Sequence, residues 1–223
     1  MDEPASVDAS RPAAAPRKQS RGARRVQLIE ATIETLAEVG YARTTLTAVA
    51  RHAGLSHGLV NFHFETKERL LTDTMLYLAE EYRTNWTIAL EQAGTGAAAQ
   101  LDGLLRADFH PAICTPARLS AWCSFWGEAQ SRPLYQKSCG SNDEAYSRTL
   151  EQVCAALIAA GGYPGNAARI ARVLRVTTEG VWLDLMTMVS PYDRDEALAT
   201  LMTCAASFFP RHFSEFGRID GSP

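Results

Sequence analysis

TLTAVARHAGLSHGLVNFHFETKERLL, Thr45 to Leu71, is the stretch on which the reading of this chain turns. Leu46, Val49 and Ala50 recur at helical spacing and Thr45 stands where an N-cap belongs, so a short helix fits Leu46 to His52. Gly54 breaks it. Ser56 caps a second short helix that runs to about His63, and Lys67 opens a long amphipathic one. Helices this short contribute little core, so packing alone does not account for them. A helix, a tight turn and a short second helix make a helix-turn-helix. Its second helix must be slim near its start to enter a major groove about 12 Å wide.

Ser56, His57, Gly58, Asn61 and Phe62 are the residues of that second helix left pointing outward. Asparagine can pair bidentately with an adenine edge, and small residues let the backbone approach the bases. Thr45 and Thr47 at the start of one helix, and Lys67 at the start of another, suit phosphate oxygens together with the backbone N–H groups there. His52, His57 and His63 have no Glu or Cys at ligand spacing, so no metal site is expected.

Outward from this stretch the signal is helical. Val26, Ile29, Ile33, Leu36 and Ala37 form one helix, which Gly40 ends. Beyond the long helix from Lys67, further helices fit 98–109, 116–130, 143–160, 165–189 and 194–213. The breaks are Pro111, Pro133, GGYPG (161–165) and SPYD (190–193), and no strand pattern of period two is found. The fold expected is all-α: a disordered basic arm (1–20), a helix-turn-helix head (21–66), a helical body (67–213), to which the resemblance described below assigns ligand binding and dimerisation, and a tail (214–223).

Charge agrees with that division. Residues 17–72 hold nine Lys/Arg against five Asp/Glu, a balance of +4, whereas residues 73–223 hold twelve against seventeen, a balance of −5. A basic head on an acidic body suits a head that meets an anion. Arg11 to Arg25, which overlaps that head count, holds six basic residues and no acidic one, an arm that can follow a phosphate backbone. The five cysteines form no Cys-x-x-Cys pair and read as reduced packing residues. The first residues hold no apolar run, and VCAALIAA (153–160) is too short to span a bilayer, so a cytoplasmic chain with no membrane partner is expected. There is no glycine loop after a strand, no Gly-x-Ser-x-Gly and no His-Glu-x-x-His, and neither an enzyme nor a cofactor is expected.

GYARTTLTAVARHAGLSHGLVNFHFETKERLL (40–71) resembles the DNA-binding head of TetR-type repressors: Gly, then Thr, a helix ending in Ala-Gly-hydrophobic-Ser, a His-Phe dipeptide and Lys. The resemblance adds His63 to the expected DNA-binding set of Thr45, Thr47, Ser56, His57, Gly58, Asn61, Phe62 and Lys67. Asn61 stands where many members carry Tyr, so no operator sequence carries over from relatives. RRVQLIEATIETLAEVG (24–40), RLSAWCSFWGEAQSRPLY (118–135) and TEGVWLDLM (178–186) are similar to the BetI subgroup, repressors of choline-to-glycine-betaine genes.

The body segments are aromatic. Trp122 and Trp126 are one turn apart and share a helix face, Phe125 adjoins it, and Tyr135 and Trp182 lie on other segments. Such faces can cage a trimethylammonium group, with Glu128, Glu179 or Asp184 as counter-charge; equally they can fill a helical core. The resemblance implies a repressor that senses choline or a related quaternary ammonium compound. It also implies a homodimer on a near-palindromic double-stranded operator, paired through helices 165–189 and 194–213. The interface residues would include Val173, Leu174, Val181, Leu185, Leu198, Leu201 and Phe208. An efflux or catabolic regulator with a different hydrophobic or cationic effector is the alternative. A ligand-free architectural DNA binder fits less well, because it has no need of an aromatic-rich body.

Overall fold

The structure is a computed structural model that describes residues 20–128, 132–190 and 192–219. Apart from Ser20, the expected arm lies outside the described residues. Nine α-helices follow in order among the described residues: α1 (Arg21–Arg43), α2 (Leu46–His52), α3 (His57–Phe64), α4 (Lys67–Ala93), α5 (Ala97–Asp108), α6 (Pro116–Gly127), α7 (Arg132–Gly161), α8 (Ala167–Thr187) and α9 (Arg194–Phe208). A small antiparallel pair, β1 (Phe213–Ser214) and β2 (Gly217–Arg218), ends the chain's described part.

Local chemistry sets the helix starts. The side chains of Ser20, Thr45, Ser56, Thr66, Thr115, Asn166 and Asp193 each accept an N–H of the first turn that follows, which satisfies donors the helix itself leaves unpaired. At Gly40 the backbone leaves helical geometry with φ +75°, so α1 kinks there before its last residues. Gly54, at φ +65°, turns the chain between α2 and α3.

Two apolar clusters form, and α4 belongs to both. The first joins Leu28, Ile33, Leu36, Val49, Val60 and Phe64 of the head to Leu70, Met75 and Leu78 of α4 and to Trp122 and Phe125 of α6. The second is the body core, with Trp86, Leu104, Leu150, Leu174, Trp182, Leu201 and Phe209 among its members. The head therefore does not end cleanly at residue 66: the first turns of α4 complete its core.

Three expectations change. Pro133 does not break the chain but sits in the first turn of α7, where its missing N–H has no partner to lose; the break falls before Arg132, and α6 ends at Gly127. Helix α9 stops at Phe208, not 213, just ahead of Pro210. The expected tail begins as structure: Arg218 N–H donates to Asp102 of α5 at 3.3 Å, which docks the β1–β2 pair on the body. A two-residue strand is too short to show a period of two, so no strand signal is legible there.

Candidate functional site

The head presents one exposed polar face. Ser56, His57, Gly58 and Asn61 are exposed, and Phe62 shows 63% of its surface to solvent. Arg21 places its guanidinium over the Phe62 ring, 5.4 Å from the centroid, and the His63 ring meets Phe62 edge-on at 5.4 Å. The His63 pKa is pushed below its ordinary value by desolvation, helped by Arg21, Arg25 and Arg24. Thr45 and Thr47 are exposed at the start of α2. The Thr45 oxygen accepts Ala48 N–H at 3.1 Å, which leaves its own proton available to a phosphate.

Lys67 is half-buried and already engaged. Its Nζ donates to the carbonyls of Tyr41 at 2.9 Å and Ala42 at 3.0 Å, and lies 5.3 Å from the Tyr41 ring centroid. It ties the end of α1 to the start of α4, and one of three ammonium donors remains for another acceptor. Among the described residues no group of three or more His, Cys, Asp or Glu is placed to hold a metal.

In the body, Trp122, Trp126, Tyr135 and Trp182 line one cavity of about 70 Å³, walled by α4 to α8. Trp122 and Trp126 stack with centroids 6.0 Å apart, and Tyr135 meets Trp122 edge-on at 6.3 Å. Tyr82 and Tyr146, 5.6 Å apart, continue the aromatic wall, and Tyr82 meets Trp182 edge-on at 6.0 Å. Phe125 does not join them. It is buried in the head cluster, edge-on to Tyr41 at 6.2 Å, because one residue along a helix turns the side chain by about 100°.

Asp108, which the sequence reading missed, is the polar centre of this cavity. It is 1% exposed. Tyr82 Oη donates to its Oδ1 at 2.8 Å, Tyr146 Oη and Thr178 Oγ1 to its Oδ2 at 2.9 and 3.4 Å, and Trp182 Nε1 to its backbone carbonyl at 3.2 Å. Burial pushes its carboxyl pKa up to about 7, against the opposing pull of the three hydroxyls. Of the expected counter-charges, Glu179 lines the cavity and is paired with Arg175, whereas Glu128 and Asp184 do not line it. Asp143 lines it too and accepts from Tyr135 Oη at 2.9 Å.

Helix α6 connects the two regions. Arg118, one turn before Trp122, donates to both oxygens of Glu81 on α4 at 2.7 and 2.8 Å and to Glu30 on α1 at 3.1 Å. Tyr77 of α4 donates to the same Glu30 at 2.9 Å. The helix that carries two of the cavity's three tryptophans, Trp122 and Trp126, is thus fastened to the first helix of the head.

A helix-turn-helix head on a helical body with an internal aromatic cavity defines a ligand-responsive regulator, and comparison with known proteins agrees. A family model for bacterial regulatory proteins of the tetR family matches residues 28–74, and one for the BetI-type transcriptional repressor C-terminal domain matches residues 97–210. The chain belongs to the TetR family of DNA-binding transcriptional repressors, a family of regulators rather than enzymes, and carries a BetI-type C-terminal domain. It is 30% identical over 186 residues to the HTH-type transcriptional regulator BetI of Paraburkholderia xenovorans, covering 83% of this chain and 93% of that one. To BetI of Escherichia coli K12 it is 29% identical over 185 residues, covering 82% and 92%.

Among solved structures, a transcriptional regulator from Pseudomonas aeruginosa PAO1 superposes with a TM-score of 0.72 at 23% identity, covering 86% of this chain and 93% of that one. FadR of Bacillus subtilis, solved in complex with stearoyl-CoA, superposes with a TM-score of 0.66 at 15% identity, covering 80% and 96%. At such identities the likeness bears on the fold alone. No described helix is long and apolar enough to cross a membrane.

Proposed function

We propose that this repressor senses a small quaternary ammonium compound, choline or a near relative, and controls genes for its transport or its oxidation to glycine betaine. The observation that carries this reading is the meeting of aromatic rings from four helices around one buried carboxylate, Asp108. A trimethylammonium group donates no hydrogen bonds, and ring quadrupoles with apolar contact are what can hold it. The BetI-type C-terminal domain supports the same class of effector.

On the DNA side, Ser56, His57, Gly58, Asn61 and Phe62 meet base edges, while Thr45, Thr47, His63 and Lys67 meet the backbone. The protein acts as a homodimer on a near-palindromic operator. Of the residues expected between protomers, Leu174, Val181 and Leu201 instead face their own core, and Leu185, Leu198 and Phe208 pack partly against it. Val173 remains outward, and with Val176, Gly180 and Leu183 it forms an exposed apolar stripe along α8 that suits a copy of itself. Effector in the cavity shifts α6, and Arg118 carries that shift to α1 and α4 and so to head spacing. A coupling of a few kcal/mol is enough to change operator occupancy tenfold or more.

Tryptophan emission should change and saturate on titration with choline. Trp126→Ala should weaken that binding more than it unfolds the protein, because a desolvated cation–π contact is worth about 2 kcal/mol. A wild type unresponsive to choline, betaine aldehyde and glycine betaine would return the aromatics to a purely packing role.

A further inference from the structure

We propose that Asp108 is the counter-charge of the bound effector, and that the cationic centre enters the cavity in exchange for the proton of Asp108, so that affinity rises with pH. This rests on the reading of the cavity as a site for a small cation.

The geometry of Asp108 poses the problem that the exchange solves. Its hydrogen-bond partners are neutral hydroxyls, those of Tyr82, Tyr146 and Thr178, and among the described residues no Lys, Arg or His pairs with it. The contrast is Asp73, 8% exposed, which is held by both Arg25 and Arg69. A carboxylate removed from water without a cationic partner neutralises itself by keeping a proton, unless a cation arrives from outside.

The groups that face it supply no such cation. From α4 comes Tyr82; from α7, Tyr146 and Asp143; from α8, Thr178, Glu179 and Arg175, the last two paired with each other; from the segment after α5, Cys114. Helix α6 contributes indole rings. Glu179 adds repulsion, and the burial-driven rise of the Asp108 pKa to about 7 means that the proton is held loosely enough to leave near neutral pH.

The step balances. The Asp108 O–H bond breaks and its proton goes to buffer, the cation takes its place, no other bond changes, and the charge inside the cavity stays the same. Three hydroxyls already lie against the carboxylate and leave about one of its four acceptor positions open, so the effector needs charge and ring contact more than hydrogen bonds of its own to give. A permanent cation satisfies that condition.

The test is titration calorimetry of the full chain with choline chloride and, separately, tetramethylammonium chloride. Each is run in two buffers of different ionisation enthalpy at acidic, neutral and alkaline pH. The expected result is release of about one proton per cation well below pH 7, vanishing well above it, with affinity rising about tenfold per pH unit until it levels off. Asp108→Asn should abolish both the release and the pH dependence, and should lower affinity at alkaline pH. Binding with no proton release and no pH dependence in the wild type overturns the exchange and leaves the cation reading standing. Binding of neither compound at any pH overturns both. An Asp108→Asn protein with wild-type pH dependence assigns the proton elsewhere and overturns the role of Asp108. Should that variant not fold, Asp143→Asn and Glu179→Gln, the other cavity carboxyls, are measured in its place: wild-type release in both assigns the proton to Asp108, and loss of release in either overturns its role.

Discussion

Head and body place their functional groups in opposite ways. The head carries its candidate readers outside, on α3, where Ser56, His57, Gly58, Asn61 and Phe62 come from a single run of seven positions. The body keeps its own inside, where Tyr82, Asp108, Trp126, Tyr146 and Trp182 come one or two at a time from separate helices. A surface that fits a repeating, rigid partner such as duplex DNA can be written on one helix. A cavity that must enclose a small molecule needs walls from several directions. Mutations should accordingly separate cleanly: changes on the outside of α3 alter binding at nearly constant stability, whereas changes around the cavity alter both.

The hardest test of that separation lies within α6. Phe125 and Trp126 are adjacent in sequence, yet one is buried in the head cluster and the other lines the cavity. Phe125→Ala should cost about 3–5 kcal/mol of stability through lost burial and the cavity left behind, while the folded fraction keeps its affinity for choline. Trp126→Ala should show the reverse ranking. Melting temperature and choline affinity, measured on both variants, would merge the two roles if Phe125→Ala lost affinity as fully as Trp126→Ala.

Asp108 should make the body, not the head, the source of the protein's stability change near neutral pH. Its carboxyl pKa stands at about 7 in the fold, against about 3.9 for an unstructured chain. Between those values the folded state holds a proton that the unfolded state has lost. Stability therefore falls as pH rises from about 4, and the loss is complete once pH passes the folded value. From pH 5 to pH 8 this group alone should remove on the order of 3 kcal/mol. Asp108→Asn should flatten that slope and be more stable than wild type at pH 8. Thermal melts at both pH values measure it, and parallel slopes for the two proteins would contradict the assignment.

The same contrast explains what could be read from the sequence. The two short helices and their turn were legible because Thr45, Gly54, Ser56 and Lys67 act within a few residues of themselves, by capping and by backbone freedom. Trp122 and Trp126 could be paired because one turn of helix separates them. Asp108 left no such trace: its partners lie 26, 38 and 70 residues away, and only the packing of α4, α7 and α8 brings them together. Phe125 reads as part of the cage only while nearness to Trp126 in sequence stands in for direction, which a helix does not preserve from one residue to the next. Pro133 reads as a break in the sequence alone, because its place in a first turn depends on where the helix starts.

Asn61→Ala should probe the outside of α3. The residue is exposed, and loss of a bidentate contact to a base should cost about 1–3 kcal/mol at one operator position while relaxing preference there. The melting temperature should stay within about a degree or two of wild type, since surface changes away from caps and cores usually stay within about 0.5 kcal/mol. Uniform weakening across a panel of single-base operator variants would show that Asn61 does not read a base.

The smallest expected effect falls on the residue that sits between the two behaviours. Lys67 was expected to meet phosphate, and such a contact would weaken all sequences alike on loss and lower the salt slope of binding by about one unit. Its ammonium also holds the carbonyls of Tyr41 and Ala42, which fasten the end of α1 to the start of α4. Two of its three donors are thereby engaged, and the third can reach a phosphate only if the first two keep the side chain in place. Lys67→Ala should thus lower the melting temperature by a few degrees, as about 1 kcal/mol of charge-assisted hydrogen bonding is lost, and should reduce the salt slope at the same time. Lys67→Met separates the contributions, because it keeps much of the packing against Tyr41 and removes the charge. A drop in salt slope shared by both variants assigns Lys67 to phosphate. An unchanged slope with a lowered melting temperature confines it to holding the head together, and the backbone contacts of the DNA then rest on Thr45, Thr47 and His63.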